Sequence, residues 1–211
     1  MRKYFGTDGV RGVANTELTC ELSMQIGRAA AMVLAKNLNG KRPKVMIGLD
    51  TRASSQMLEN AITAGLCSVG ADVLKLGVVP TPAVAYLVKE YGYDAGIMIS
   101  ASHNPCEYNG IKIFKSDGYK LPDRVEEKIE SIILDDTGVV PQAIGENIGR
   151  IERSSFVIFD YIAHLETTID CDLEGMNIAI DCANGSSSAI SVTCLNVLVQ
   201  GVRFFQQILM E

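Results

Sequence analysis

The sequence predicts an α/β fold: a layered, mostly parallel mixed sheet flanked by helices, followed by the start of a second α/β domain of the same type. Short apolar runs bounded by turn residues alternate with longer segments whose apolar residues recur at helical spacing. The chain has 211 residues, enough for one full domain and part of another. Its content of 47% hydrophobic and 21% charged residues is ordinary for a globular protein.

The elements of the first domain, residues 1–135, follow one another without a long interruption. Apolar residues between Leu18 and Leu34 predict a helix, with Thr19 as its N-cap and Gly40 just past its end. Proline is tolerated in the first turn of a helix, so Pro80 and Pro82 open another helix that runs to Tyr91. The remaining predictions are strands at 44–49, 72–76, 95–99 and 111–114, and helices at about 55–67 and 124–134.

The later part of the chain is predicted to be less complete. Residues 136–154 are rich in Gly, Pro and polar residues, which is typical of a linker. A helix at about 155–165 and a strand at 176–181 indicate an incomplete second α/β domain over 155–211. Two strands are too few for an independent core, so we expect this region to be unstable in isolation and its apolar tail to promote association.

Composition excludes several classes of partner. The net charge of −6 and pI near 5.0 argue against general binding to nucleic acid or to an anionic membrane. No apolar run approaches the length of a membrane span, and the first residues lack the apolar core of a signal peptide. The six cysteines are scattered without a C-x-x-C pair, which predicts reduced thiols and a cytoplasmic protein.

The segment Ser100–Pro105 carries the strongest chemical signal. It closes the predicted strand 95–99, and ligands of α/β sheets bind beyond the carboxyl ends of strands. A serine beside backbone amides and a histidine is placed there for group transfer. Taken alone, however, a serine before Asn-Pro is most often a backbone cap. A serine hydrolase is a weak alternative, because no Gly-x-Ser-x-Gly turn surrounds Ser102 and the other histidine, His164, lies far along the chain.

Four segments together resemble one family. They are Phe5–Gly12, Gly48–Arg52, Ser100–Pro105 and Asn109–Lys112. In that order they closely resemble the α-D-phosphohexomutase superfamily, and the form of the first segment is most similar to its bacterial phosphoglucosamine mutase branch. The resemblance continues to about Ile190, whereas residues 191–211 do not align with the family. This ending has the form of a truncated or frame-shifted product.

The resemblance implies an activity and a set of residues. Family members interconvert sugar 1- and 6-phosphates, and this branch acts on glucosamine phosphate through a sugar bisphosphate. Ser102 would carry the phosphoryl group, Arg11 and Lys112 would reach it, and His103 would shuttle a proton. The substrate-binding residues implied by the match are Thr7, Asp8, Gly9, Arg52 and Asn104. On spacing alone, Lys112 could equally be a solvated strand residue and Arg11 a surface guanidinium.

The resemblance also implies Mg²⁺ as cofactor, held by the Ser102 phosphate and by three aspartates of an Asp-Gly-Asp-x-Asp-Arg loop. That loop does not occur in this sequence, and with only two histidines a divalent ion would need oxygen ligands. We therefore expect a phosphosugar mutase whose activity is impaired in this chain alone. The expected partners are a phosphorylated amino sugar and a sugar bisphosphate. A phosphomannomutase or phosphoglucomutase, or a non-catalytic fragment, remains the alternative.

Overall fold

The computed structural model describes residues 3–36, 38–135, 140–170, 176 and 178–198. The strands are β1 (Phe5–Gly6), β2 (Gly9–Val13), β3 (Lys44–Leu49), β4 (Asp72–Val78), β5 (Ala95–Ile99), β6 (Tyr108–Lys115) and β7 (Ile151–Arg153). The helices are α1 (Cys20–Ala35), α2 (Ala53–Ser68), α3 (Thr81–Glu90), α4 (Asp123–Leu134), α5 (Val157–Glu166) and α6 (Ser188–Leu198), with one 3-10 turn at Gly145–Asn147.

The strands form one mixed sheet in the order β1-β2-β6-β5-β3-β4-β7. This confirms the predicted α/β class and the mixed sheet flanked by helices. The parallel share is smaller than predicted: β5, β3, β4 and β7 pair in parallel, but β1, β2, β6 and β5 pair antiparallel, three pairings of each kind. A parallel pair needs a long crossover, whereas residues 100–107 return the chain directly from β5 into β6.

Helices cover both faces of the sheet, so the central strands are buried on both sides. The helices α1, α2 and α4 pack on one face, where Ile97 and Ile99 of β5 are fully buried. The helices α3 and α5 pack on the other face, where Met98 is fully buried. This alternation along one strand explains why β5 is a continuous apolar run in the sequence.

Local signals in the sequence account for where the first helix begins. The Thr19 hydroxyl accepts a hydrogen bond from the Leu22 amide, which confirms the predicted N-cap of α1. The other predicted helices of this region, and strand 44–49, also form within about two residues of their expected ends. The short strands β1 and β2 were not expected, because five residues or fewer with several glycines carry no clear period.

The segment predicted as a linker contributes to the same sheet. Within residues 140–154, β7 adds a parallel edge strand beside β4. The predicted helix 155–165 is present as α5, and its Tyr161 packs on Tyr86 of α3 with ring centroids 5.8 Å apart. Tyr91 donates a hydrogen bond to Asp160 of α5, which raises the pKa of Tyr91 to about 12. The domain boundaries themselves stay a prediction.

One predicted element does not form. Met176 and residues 178–181, the described part of the expected strand 176–181, belong to no strand. A strand needs a hydrogen-bonding neighbour, and none of the described strands pairs with this segment. The apolar tail beyond residue 198 lies outside the described residues. Among the helices that the structure describes, none combines the length and apolarity needed to cross a membrane.

Candidate active site

The candidate site lies at the carboxyl ends of β3 and β5, which are adjacent and parallel. Leu49 pairs with Ile99 at the ends of these strands, and the Asp50 amide donates to the Ile99 carbonyl at 3.0 Å. The segment that follows β3 therefore lies beside the loop that follows β5. We call residues Ser100–Glu107 the serine loop.

Ser102 is exposed and has an uncommon backbone conformation. Its φ of 59° lies in the left-handed region, which costs a non-glycine residue about 1–3 kcal/mol and persists only where the surrounding contacts offset that cost. Its amide donates to Ser100 Oγ at 3.0 Å. The distance from Ser102 Oγ to His103 Nδ1 is 3.5 Å, beyond the usual range of about 2.7–3.2 Å. His103 is thus next to the hydroxyl but does not form a tight hydrogen bond with it.

Arg52 holds the serine loop from the side of β3. Its five guanidinium N–H groups have five acceptors. The Nε group donates to Asp50 Oδ2 at 3.0 Å, and the two terminal nitrogens donate to the carbonyl oxygens of Ser102, Asn104, Pro105 and Tyr108 at 3.0, 2.8, 2.6 and 3.0 Å. Sequence resemblance implied that Arg52 binds substrate. In the structure it has no donor left for a phosphate, because the protein's own backbone uses them all.

A buried polar network lies beneath Arg52, and sequence analysis did not include it among the site residues. Asp50 Oδ1 accepts from Ser55 Oγ at 2.5 Å and from the Arg52 amide at 3.1 Å. Asn109 Nδ2 donates to the hydroxyls of Ser54 and Ser55, both at 2.9 Å. Asp50, Ser55 and Asn109 are buried. The sequence feature that could have indicated this network is an aspartate two residues before an arginine at the end of an apolar strand.

Arg11 and Lys112 are brought together on the antiparallel side of the sheet. Arg11 of β2 pairs in register with Gly110 of β6, and Lys112 lies two residues further on the same face. Asp8 Oδ2 lies 3.0 Å from Arg11 Nη2 and 3.4 Å from Lys112 Nζ. The side chains of Arg11 and Lys112 are 31% and 23% exposed. Two cations share one carboxylate, so this group carries a net positive charge that water and ligands can reach.

Gly110 connects the cations to the serine loop through close backbone packing. A Cβ at Gly110 would lie 2.8 Å from the Ser100 carbonyl oxygen and 3.0 Å from Arg11 Cγ. Ser100 in turn donates its amide to the Gly110 carbonyl at 2.9 Å. The stem of Arg11 is therefore next to the backbone from which Ser102 projects.

The other residues that the resemblance implied for substrate binding lie in the β1–β2 turn and in the serine loop. Gly9 is buried with φ of 90°, and a Cβ there would lie 2.2 Å from the Ile111 carbonyl oxygen, so its role is to close the turn from β1 into β2. Thr7 is exposed at the tip of that turn, next to Asp8. Asn104 donates its amide to the Ala101 carbonyl at 3.2 Å, and its own carbonyl binds Arg52.

The later part of the chain also reaches this edge. Thr51 Oγ1 donates to the Asn184 carbonyl at 2.6 Å. A cleft of about 600 Å³ lies beside this contact, lined by residues that include Asp50, Arg52, Lys75 and Arg153. The site is therefore bordered by segments from both parts of the chain.

The described residues do not fit a magnesium site. No group of three or more His, Cys, Asp or Glu side chains converges in the part of the chain that the structure describes. The carboxylates of Asp8 and Asp50 are already paired, Asp8 with Arg11 and Lys112, and Asp50 with Arg52. Of the implied ligands only an oxygen on Ser102 remains, and no step is assigned here to a metal.

Comparison with known proteins identifies the class to which this fold and site belong. Residues 2–138 match the family model described as phosphoglucomutase/phosphomannomutase, alpha/beta/alpha domain I. The chain therefore belongs to the phosphoglucomutase/phosphomannomutase family, which confirms the resemblance found in the sequence.

Relatives with more than half of the aligned residues identical include phosphoglucosamine mutases. The chain is 54% identical over 192 residues to the phosphoglucosamine mutase of Clostridium novyi, and 53% identical over 191 residues to that of Clostridioides difficile. These alignments cover 91% and 90% of this chain but only 42% of each relative. The chain thus spans less than half the length of the curated relatives it matches.

Solved structures share the fold. A phosphoglucomutase/phosphomannomutase family protein from Burkholderia thailandensis aligns with a TM-score of 0.76 at 24% identity, covering 97% of this chain and 44% of that one. A putative phosphomannomutase from Thermus thermophilus aligns with a TM-score of 0.66 at 28% identity, covering 81% of this chain and 37% of that one.

Proposed function

We propose that this chain is the phosphoryl-carrying segment of a phosphosugar mutase that interconverts glucosamine 6-phosphate and glucosamine 1-phosphate. One observation carries the proposal: the Ser102 hydroxyl is exposed at the carboxyl edge of the sheet, on a loop that packs against the strands bearing Arg11 and Lys112. The choice of glucosamine rests on the identity of more than 50% to phosphoglucosamine mutases.

The proposed reaction begins with phosphoserine at position 102. The sugar hydroxyl at C1 attacks phosphorus, the bond from phosphorus to Ser102 Oγ breaks, and the hydroxyl proton passes to the His103 imidazole. The product of this half-reaction is the sugar 1,6-bisphosphate. In the second half-reaction Ser102 Oγ, left deprotonated by the first transfer, attacks the 6-phosphoryl group and the bond from phosphorus to the sugar O6 breaks. O6 takes the proton held by His103, which releases the 1-phosphate and restores phosphoserine.

Arg11 and Lys112 would supply the charge compensation that this transfer needs. A phosphoserine carries about −1.5 to −2 charges at neutral pH, and cations near the transferring group lower the barrier. In the ligand-free structure both cations contact Asp8. Binding of the phosphoryl group would therefore replace the Asp8 carboxylate with a more highly charged anion.

The remaining parts of the proposal follow from family membership. We infer a magnesium-dependent reaction, with the Ser102 phosphate as one ligand, and slow turnover in this chain because no group of three or more His, Cys, Asp or Glu side chains converges among the described residues. The five cysteines that the structure describes are free thiols, which supports a cytoplasmic location. The second candidate function is the corresponding reaction on mannose phosphate or glucose phosphate. The fold match to a putative phosphomannomutase supports this candidate.

Transfer from the phosphorylated chain to different sugars tests this function. The chain is loaded with glucose 1,6-bisphosphate and Mg²⁺, freed of small molecules, and mixed with glucosamine 6-phosphate, glucose 6-phosphate or mannose 6-phosphate in single-turnover reactions. Loss of protein-bound phosphate, followed by intact mass spectrometry, should be fastest with glucosamine 6-phosphate. Ser116→Ala, which removes an exposed serine outside the site, should behave like the unsubstituted chain. Equal rates with all three sugars and with water would contradict the proposal.

A further inference from the structure

We propose that Arg52 is a positioning residue that holds Ser102 for phosphoryl transfer, and that it does not bind the sugar phosphate. The inference rests on the proposed function of Ser102. It changes the role that sequence resemblance implied for Arg52, and it extends the site to a side chain that never contacts the reacting group.

Arg52 uses most of its donors on the serine loop. Four of its five N–H groups bind backbone carbonyls within residues 102–108, including the carbonyl of Ser102 itself. The loop has few backbone hydrogen bonds of its own: the Asn104 amide reaches Ala101 and the Tyr108 amide reaches Pro105. A planar guanidinium can gather four carbonyls because its donors are fixed in one fork. Arg52 therefore provides the hydrogen bonds to backbone carbonyls that a strand or helix provides elsewhere.

The guanidinium of Arg52 is itself held in place. Its Nε group donates to Asp50, and both side chains are about nine-tenths buried. Asp50 is held by Ser55 at the start of α2, and Ser55 is held by Asn109 at the start of β6. The network thus connects three elements, β3, β6 and α2, to the serine loop. Partial burial and full hydrogen bonding make such a network rigid.

Arg52 also differs in net charge from the group formed by Arg11 and Lys112. The Asp50 carboxylate neutralises Arg52 at a distance of 3.0 Å, so the pair presents no net charge to an incoming phosphate. Arg11 and Lys112 carry an excess positive charge, because they share only Asp8. Attraction of phosphate and placement of Ser102 are therefore assigned to different cations.

The strained backbone of Ser102 explains why its hydroxyl needs a positioning residue. Without a partner for its carbonyl, a serine with φ of 59° would relax toward negative φ, and the hydroxyl would point elsewhere. A displacement of about 1 Å at a reacting atom can cost on the order of 100-fold in rate. Lysine at position 52 could keep the charge, but it could not bind four carbonyls and Asp50 together.

The experiment compares Arg52→Lys with a matched control, Arg42→Lys. Arg42 has the same kind of contacts away from the site, since it donates to the carbonyls of Glu146 and Ile148 and pairs with Asp72. Two measurements are made on the full chain. Amide hydrogen exchange is followed in the serine loop and in β3, and the rate of Ser102 phosphorylation is followed against the concentration of glucose 1,6-bisphosphate.

For Arg52→Lys we expect amide exchange at Ser102, Asn104 and Tyr108 to rise on the order of tenfold, while exchange in β3 stays unchanged. The maximal phosphorylation rate should fall on the order of 100-fold, with the half-saturating concentration of bisphosphate within about twofold of the unsubstituted chain. Arg42→Lys should change neither measurement. If Arg52→Lys does not fold, Asp50→Asn, which removes the charge that anchors the guanidinium, should give the same pattern at smaller size.

Two outcomes overturn the inference. In one, the half-saturating concentration rises while the maximal rate is kept, which would make Arg52 a phosphate ligand. In the other, the exchange of the serine loop is the same in Arg52→Lys and the unsubstituted chain. A failure of the unsubstituted chain to accept phosphate at all would count against the proposed function instead, and the exchange comparison would still decide the role of Arg52.

Discussion

The arginines on the two sides of the serine loop differ in exposure and in how many of their donors the protein itself binds. On the antiparallel side, Arg11 is 31% exposed and contacts one exposed carboxylate, Asp8. On the parallel side, Arg52 is 11% exposed and all its donors have acceptors within the protein. The same type of side chain is partly exposed with one carboxylate partner in one place, and has all its donors bound by the protein in the other.

The architecture explains the difference. The chain leaves β3 at the carboxyl edge, and its next residues lie directly beside the serine loop, so Arg52 meets backbone carbonyls at short range. Arg11 lies within β2, whose backbone is already paired with β6, so its side chain extends toward solvent. The number of unsatisfied acceptors near an arginine therefore decides whether it serves structure or binding.

Arg11→Gln tests this comparison with the largest expected effect on bisphosphate binding. Loss of a charged contact to phosphate costs about 1.5–3 kcal/mol, so the half-saturating concentration of glucose 1,6-bisphosphate should rise on the order of 10- to 100-fold. The exchange of the serine loop should not change, in contrast to Arg52→Lys. Arg124→Gln, which removes an exposed arginine from α4, serves as the control for net charge. An unchanged half-saturating concentration in Arg11→Gln would remove Arg11 from the binding site.

A smaller effect of opposite sign is expected from Asp8→Asn. The Asp8 carboxylate neutralises Arg11 and Lys112 in the ligand-free structure, and exposed ion pairs contribute roughly 0.2–1 kcal/mol. Its removal should lower the half-saturating concentration of bisphosphate about threefold, measured by the same phosphorylation assay. Raising the salt concentration should reduce this gain, because exposed charges are screened. Weaker binding in Asp8→Asn would instead make Asp8 a ligand of the sugar, as sequence resemblance implied.

Much of the fold was accessible from sequence because it depends on local patterns. The apolar run of β5 and the spacing of α1 each reflect burial by neighbouring layers, and Thr19 marks a helix start through its own side chain. The described part of the segment 176–181 did not form the expected strand, because a strand depends on a neighbour that the pattern alone does not provide. The direct return from β5 to β6 was equally hidden, so the parallel share was overestimated.

The candidate site was less accessible because its contacts join distant residues. Arg52 is 50 positions from Ser102, and the convergence of four carbonyls on its guanidinium depends on how β3 and β5 lie side by side. Asp50 and Asn109 are buried polar groups that the pattern of apolar residues cannot assign to each other. The order of loops led to Ser102, Arg11 and Lys112, whereas the different hydrogen bonding of Arg11 and Arg52 could be seen only in the structure.

Peptide-level mapping of phosphate after exposure of the chain to glucose 1,6-bisphosphate and Mg²⁺ tests the account most directly, with Ser102→Ala measured in parallel. We expect a single phosphoryl group on the peptide that contains Ser102, and none on that peptide in Ser102→Ala. Phosphate on another residue of the serine loop, or equal labelling of Ser102→Ala, would contradict the assignment of Ser102 as the carrier.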